Sequence, residues 1–278
     1  MSIPQPDPVA RVRAIFDAVA DDYDQSGVPF FVPAAEGLIE ALAPRPGERV
    51  LDIGCGRGAA TSLLAHAVLP TGTLDAIDLS PAMVEHTRAL LAAQGHDVRA
   101  EVMDAGDPDL PPSAYDLIAS SLVLFFLPDP ATALARWVSL LAPGGRIGVT
   151  TFGQEHAVWS GVNDLFRPWL PPAMLDPKAV GSESPFSSDE GMEAMLHTAG
   201  ATNVRTVTRR VDVPWGDVEG WKAFSMSTGQ RAMWAMVPAE ERDGLEERAA
   251  KILDDARDES GRIGIWQDMR YTLGSVSG

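Results

Sequence analysis

The chain has 278 residues, 45% of them hydrophobic, and its 39 acidic and 22 basic side chains give a formal net charge of −17. Proteins that bind nucleic acid draw most of their affinity from Lys and Arg on phosphates; here Arg209-Arg210 is the one adjacent basic pair, so no nucleic-acid partner is expected. A single cysteine excludes a disulfide framework, no Cys/His cluster points to a metal, and the longest apolar stretch, Leu117 to Leu127, is too short to span a bilayer.

Met1 to Pro8 has neither a positive start nor an apolar core, which marks a proline-rich leader rather than a signal peptide and predicts a cytoplasmic protein with no membrane partner. Val12, Ile15, Phe16 and Val19 recur at helical spacing, so residues 1–30 are expected to form a helical lid with Tyr23 at its exit. Arg49 to Ile53 reads as a buried strand running into Asp52-Ile53-Gly54-Cys55-Gly56-Arg57-Gly58 and then a helix. Glycines belong where backbone turns sharply against a ligand, and the following helix offers free N–H groups. Asp52 inside that turn would repel a pyrophosphate; it suits a cationic, hydroxyl-rich ligand such as S-adenosylmethionine (SAM). Cys55 sits where a small side chain is required.

Thr73 to Ile77 predicts the second strand, ending on Asp78, which is placed to accept hydrogen bonds from ribose hydroxyls. Ser80-Pro81 supplies a helix cap and first-turn proline. Val98 to Val102 predicts the third strand, followed by Asp104, an acceptor for an adenine amino group. Tyr115 to Ala119 and Arg146 to Thr151 give strands four and five, separated by a helix that starts at Asp129-Pro130 and is expected to end at Pro143-Gly144-Gly145. Such alternation implies a parallel sheet covered on both faces.

In several ordered pieces the chain resembles the class I SAM-dependent methyltransferases, nearest the ubiquinone/menaquinone biosynthesis branch. The pieces are Phe16 to Asp24, the glycine loop Val50 to Gly58, Ala76 to Met83, Tyr115 to Ile118, Leu127-Pro128-Asp129-Pro130 and Leu141 to Gly145. The resemblance covers roughly the first 155 residues. It implies an α/β fold: a Rossmann-like, seven-stranded, mostly parallel sheet with helices on both faces and a helical cap inserted near the C-terminus. It implies SAM as cofactor, S-adenosylhomocysteine as product, and a cofactor site of Tyr23, Asp52, Gly54, Cys55, Gly56, Asp78, Leu79, Met83, Asp104, Ala105 and Ser120. On this reading residues 31–155 are the SAM-binding core.

Residues 156–213 are expected to hold a short helix, a proline-rich loop, a helix over Ser187 to Ala199 capped by Ser188 or Asp189, and a strand over Asn203 to Val213. Residues 214–264 would form the cap, with an amphipathic helix marked by Leu245, Ala249, Ile252 and Ala256, and Trp266 to Leu273 the last strand. The cap is rich in Trp and Met, so the substrate pocket is assigned to Phe30, Phe125, Trp159, Trp215, Trp221, Phe224 and Trp234. Many relatives carry a histidine pair where this chain has Phe125 and Phe126, which favours an apolar or aromatic acceptor. His66, His86 and His197 fall in predicted helices and His96 in a loop, leaving His156 as the candidate general base. The expected activity is in-line methyl transfer to O, N or activated C of a small molecule of secondary metabolism or quinone-like biosynthesis, by a monomer or homodimer. The alternatives are a nicotinamide-dependent oxidoreductase and a SAM-binding partner module that transfers nothing.

Overall fold

A computed structural model describes residues 7–171, 184–261 and 263–278; the leader through Pro6 and most of the expected proline-rich loop, positions 172–183, lie outside them. After α1 (Pro8–Val19) and α2 (Phe31–Leu42), the chain alternates β1 (Arg49–Ile53), α3 (Ala59–Val68), β2 (Thr73–Asp78), α4 (Pro81–Ala93) and β3 (Arg99–Val102). It continues through β4 (Tyr115–Ser121), α5 (Pro130–Ser139), β5 (Leu141–Glu155), α6 (Ala157–Asp164), α7 (Asp189–Thr198) and β6 (Thr202–Asp212). The helices α8 (Val218–Met226), α9 (Arg231–Trp234) and α10 (Ala239–Asp255) then precede β7 (Trp266–Ser275).

The strands form one seven-stranded sheet in the order β3-β2-β1-β4-β5-β7-β6. Strands β1 to β5 pair in parallel, while β7 runs antiparallel to both β5 and β6. β1 shows why both faces must be covered. Val50 packs into one core with Leu38, Leu64 and Leu117, whereas its neighbour Leu51 packs with Ile118, Leu134 and Trp137 in the other. Alternate residues of a strand point to opposite faces, so a strand with apolar residues at adjacent positions needs helices on both sides.

Two boundaries differ from the sequence reading. Helix α5 begins as expected, with Asp129 accepting from Thr132 N at 3.0 Å, but it ends at Ser139, and Pro143-Gly144-Gly145 lies inside β5. There the register slips between Tyr115 and Leu117, and Gly144 takes φ +77°, so the Pro-Gly pair makes an irregularity within the strand instead of stopping the helix. Strand β5 also continues past Thr151 to Glu155.

Helix α2 goes unflagged by the sequence reading. Its Gly37 lies against β7, where an added Cβ would stand 2.2 Å from Tyr271 Oη, so the helix can approach the sheet only with glycine there. No helix among the described residues is long and apolar enough to cross a membrane. Gly37→Ala is expected to destabilise the protein by about 1–3 kcal/mol through overpacking, read as a lower denaturation midpoint in urea; an unchanged midpoint would contradict this packing.

Candidate active site

In the strand order, neighbouring connections leave β1 and β4 in opposite directions, and doubly wound sheets bind ligands in the crevice at the strand ends where this happens. The glycine loop follows β1 at that point. Gly54 takes φ +74°, and a Cβ there would strike Val123 Cγ2 at 2.2 Å; the residue must be glycine for the β4 loop to close against it. Gly56, at φ +53°, meets nothing within 4 Å and leaves its side of the loop open.

Asp78 ends β2 beside this loop. Its Oδ2 accepts from Gly56 N and its Oδ1 from Ser80 N, both at 2.9 Å. Each oxygen keeps a lone pair for a ligand donor. Burial pushes its carboxyl up, opposed by the Ser80 and Gly56 amides, so the two N–H groups offset part of the cost of holding a charge there. The helix-capping duty falls to Ser80, whose Oγ accepts from Met83 N at 3.2 Å and donates to Asp17 Oδ1 of α1. Arg57, within the glycine loop, donates to Ala20 O and Asp21 O at the end of α1. Two links therefore lay α1 across the loop.

Beneath α1 is a narrow cleft of about 90 Å³ walled by Val12, Phe16, Tyr23, Gly54, Gly56, Asp78, Leu79, Met83, Asp104, Ala105, Ser121, Leu122, Val123, Phe126 and Leu127. Asp104, in the cleft wall just past β3, accepts from Gly106 N through Oδ1 at 2.7 Å. Eight of the expected cofactor residues meet here: Tyr23, Gly54, Gly56, Asp78, Leu79, Met83, Asp104 and Ala105.

Three do not line it. Asp52 turns its buried carboxylate away, its Oδ2 accepting from Thr61 Oγ1 of α3 at 2.6 Å while Oδ1 has no partner. Cys55 packs in an apolar cluster with Ala76, Val84 and Ala100, and burial pushes its thiol up. Ser120 is buried and donates to Ile53 O at 3.0 Å; strand alternation gives the cleft position to Ser121 instead.

A second, larger cavity of about 440 Å³ lies beside the first. Phe16, Tyr23, Leu122 and Phe126 border both. Phe30, Phe125, Trp159 and Phe224 line it as expected, joined by Phe31, Phe152 and Met233. Trp215, Trp221 and Trp234 stand outside. Trp215 packs behind Trp159 at 4.8 Å between ring centres, and Trp221 and Trp234 pack on each other at 5.4 Å and on Phe166 at 6.2 and 5.1 Å, so these three tryptophans make the core of the cap. His156 is also outside both cavities: its Nδ1 accepts from Val158 N at 3.2 Å and caps α6, and the ring borders neither lining.

The residues missed by the sequence reading include, besides Phe31, Phe152 and Met233, the polar ones of this cavity. Glu155 and Gln267 are cross-strand partners, and Gln230 Nε2 donates to Asn163 Oδ1 at 3.0 Å. The signal for Glu155 was its place next to His156, one residue short of the helix cap.

Comparison with known proteins agrees with this geometry. A family described as a methyltransferase domain matches residues 50–145. The chain is 30% identical over 275 residues to nocamycin O-methyltransferase of Saccharothrix syringae, covering 94% of this chain and 97% of that protein. It is 38% identical over 167 residues to aklanonic acid methyltransferase of a Streptomyces species (strain C5), covering 60% of this chain and 76% of that one. Among solved structures, the [4+2]-cyclase SpnF shares the fold with a TM-score of 0.59 at 17% identity, each chain covered fully. The YcgJ protein of Bacillus shares it with a TM-score of 0.61 at 17% identity, covering 88% of this chain and 99% of that one.

The chain belongs to the class I SAM-dependent methyltransferases. It is an enzyme that uses SAM as methyl donor, and the nicotinamide alternative falls with that assignment. The cleft fits the cofactor: free lone pairs on Asp78 for ribose hydroxyls, open space over Gly56, and apolar walls at Leu79, Met83 and Ala105 for an adenine ring.

Two measurements check the site. Asp78→Ala is expected to weaken S-adenosylhomocysteine binding about 10- to 100-fold in calorimetry, the loss appropriate to hydrogen bonds with a charged partner; unchanged affinity would contradict the ribose role. Burial, opposed by the Thr61 hydroxyl and assisted by Asp78, pushes Asp52 up to about 7. An acid whose folded value lies above its unfolded one, about 3.9, costs stability that grows as pH rises between the two. Asp52→Asn is therefore expected to be more stable than the parent at pH 8 by about 1–3 kcal/mol, with the gap closing towards pH 4. Urea unfolding at both pH values checks it; a gap that widens in acid would contradict the assignment.

Proposed function

We propose that this enzyme transfers the methyl of SAM to an oxygen of a flat, largely apolar secondary metabolite held in the larger cavity. The observation that carries this reading is the shared wall of Phe16, Tyr23, Leu122 and Phe126, through which a donor in the cleft would meet an acceptor in the cavity. Aromatic rings supply most of the cavity surface, and planar apolar molecules bind such walls by area and by ring stacking. Names of relatives point the same way, since both the nocamycin and the aklanonic acid enzymes act on secondary metabolites.

Bound SAM supplies a methyl carbon made electrophilic by its sulfonium. The chain's own part is to fix the acceptor and keep water out, and such positioning is worth up to roughly 7–11 kcal/mol of a barrier. Of the four shared-wall residues, three are hydrocarbon and the fourth is Tyr23. Burial, with Asp24 and Asp78 nearby, drives the Tyr23 phenol well above its ordinary value, so it stays protonated and serves as a hydrogen-bond donor. A mouth with a donor and no base suits an oxygen that already carries negative charge or sheds its proton readily.

Phe125 lines the larger cavity alone. Phe125→Ala is expected to raise the acceptor KM by about tenfold or more while leaving S-adenosylhomocysteine affinity unchanged. The acceptor itself is found by incubating the protein with SAM and extract of the producing cells and searching by mass spectrometry for compounds that gain one methyl. Tight binding of S-adenosylhomocysteine with no methylated product in any such extract would favour a non-catalytic partner module instead.

A further inference from the structure

We infer that Glu155 and Gln267 form a pair of hydrogen-bond acceptors that selects a methyl acceptor bearing a hydroxyl or N–H group at the end remote from the cofactor. This rests on the proposed function of the larger cavity and names a feature of its ligand. Along β5, Phe152 pairs with Met269 and Glu155 with Gln267, so three steps on β5 span two on β7. The extra residue is a β-bulge at Gly153-Gln154, and it turns Glu155 onto the same face as Phe152, where a regular strand would put it on the opposite one. Glu155, Gln267 and Phe152 all line the larger cavity, and neither Glu155 nor Gln267 borders the cofactor cleft.

Each side chain is oriented by what it already holds. Gln267 is 2% exposed, and its Nε2 donates to Gln154 O at 3.1 Å and Asp268 O at 3.2 Å, with Gly153 O at 3.4 Å. The amide nitrogen thus satisfies the bulge, which leaves Oε1 with no partner among the described residues. Glu155 Oε1 accepts from Ser160 Oγ, and its Oε2 has no partner among the described residues. Burial pushes the Glu155 carboxyl up, against the Ser160 hydrogen bond, so a ligand donor there would relieve a buried charge. No Lys, Arg or His is among the described residues lining the cavity. Two acceptor oxygens with no cation bind a donor and repel an anion.

The test uses 2-naphthol and 2-methoxynaphthalene, which share a flat apolar frame and differ in one donor, titrated by fluorescence into the full chain with and without S-adenosylhomocysteine. The parent is expected to bind 2-naphthol at least about tenfold more tightly, as a hydrogen bond to a charged acceptor implies. Glu155→Leu should cut that ratio to about threefold or less and Glu155→Gln, which keeps an acceptor oxygen, should retain most of it. A structural role alone would weaken both probes alike. Equal binding of the two by the parent overturns the inference, as does a ratio that survives Glu155→Leu or the failure of 2-naphthol to bind. If Glu155→Leu does not fold, the parent ratio together with that of Glu155→Gln decides. Loss of S-adenosylhomocysteine binding by the parent would instead sink the cofactor assignment, which the naphthol ratio does not touch.

Discussion

The Asp78 carboxylate is the point on which the site is built. It is partly buried in the cleft wall, and a charge drawn out of water is tolerable only when its oxygens are hydrogen-bonded. Gly56 and Ser80 provide those bonds, one from the glycine loop and the other from the start of α4. Because Ser80 in turn caps α4 and donates to Asp17, one chain of hydrogen bonds joins the end of β2, the glycine loop, α4 and the helix laid over the cleft. The geometry that a ribose needs is thus the geometry that satisfies the backbone.

From that anchor the two cavities divide the work by polarity. The cleft holds two acids, Asp78 and Asp104, at successive strand ends, whereas the larger cavity is a box of aromatic rings. Between them stand Phe16, Tyr23, Leu122 and Phe126, so on the proposed reading the wall where donor and acceptor would meet carries no charged side chain. Dry, apolar surroundings strengthen the attraction between a sulfonium and an electron-rich oxygen and exclude water as a competing nucleophile. Cap helices α8 and α9 and the turn between them complete this box, and their tryptophans Trp221 and Trp234 pack with Phe166.

Much of this arrangement was legible in the sequence, for identifiable reasons. Buried parallel strands are apolar at nearly every position, and a glycine turn followed by an acid about 20 residues on constrains the chain tightly, so β1, β2 and the residues around Asp78 could be read directly. Side-chain direction was harder. Asp52 and Ser120 belong to motifs next to the cofactor yet point elsewhere, because a strand sends neighbours to opposite faces and the phase is set by tertiary packing. The cap tryptophans were assigned to the pocket by type alone, and three of them are packing residues. Glu155 was hidden by a bulge, which reverses the alternation that a sequence pattern assumes, and His156 beside it drew the base assignment although its Nδ1 caps α6 and its ring borders neither cavity.

The most direct test of the central claim is a crystal structure of the protein with S-adenosylhomocysteine. The account predicts ribose hydroxyls on both oxygens of Asp78, the adenine beside Asp104 and Ala105, and the sulfur facing the wall formed by Phe16, Tyr23, Leu122 and Phe126. A nucleoside bound away from Asp78, or a sulfur directed away from the aromatic cavity, would contradict it.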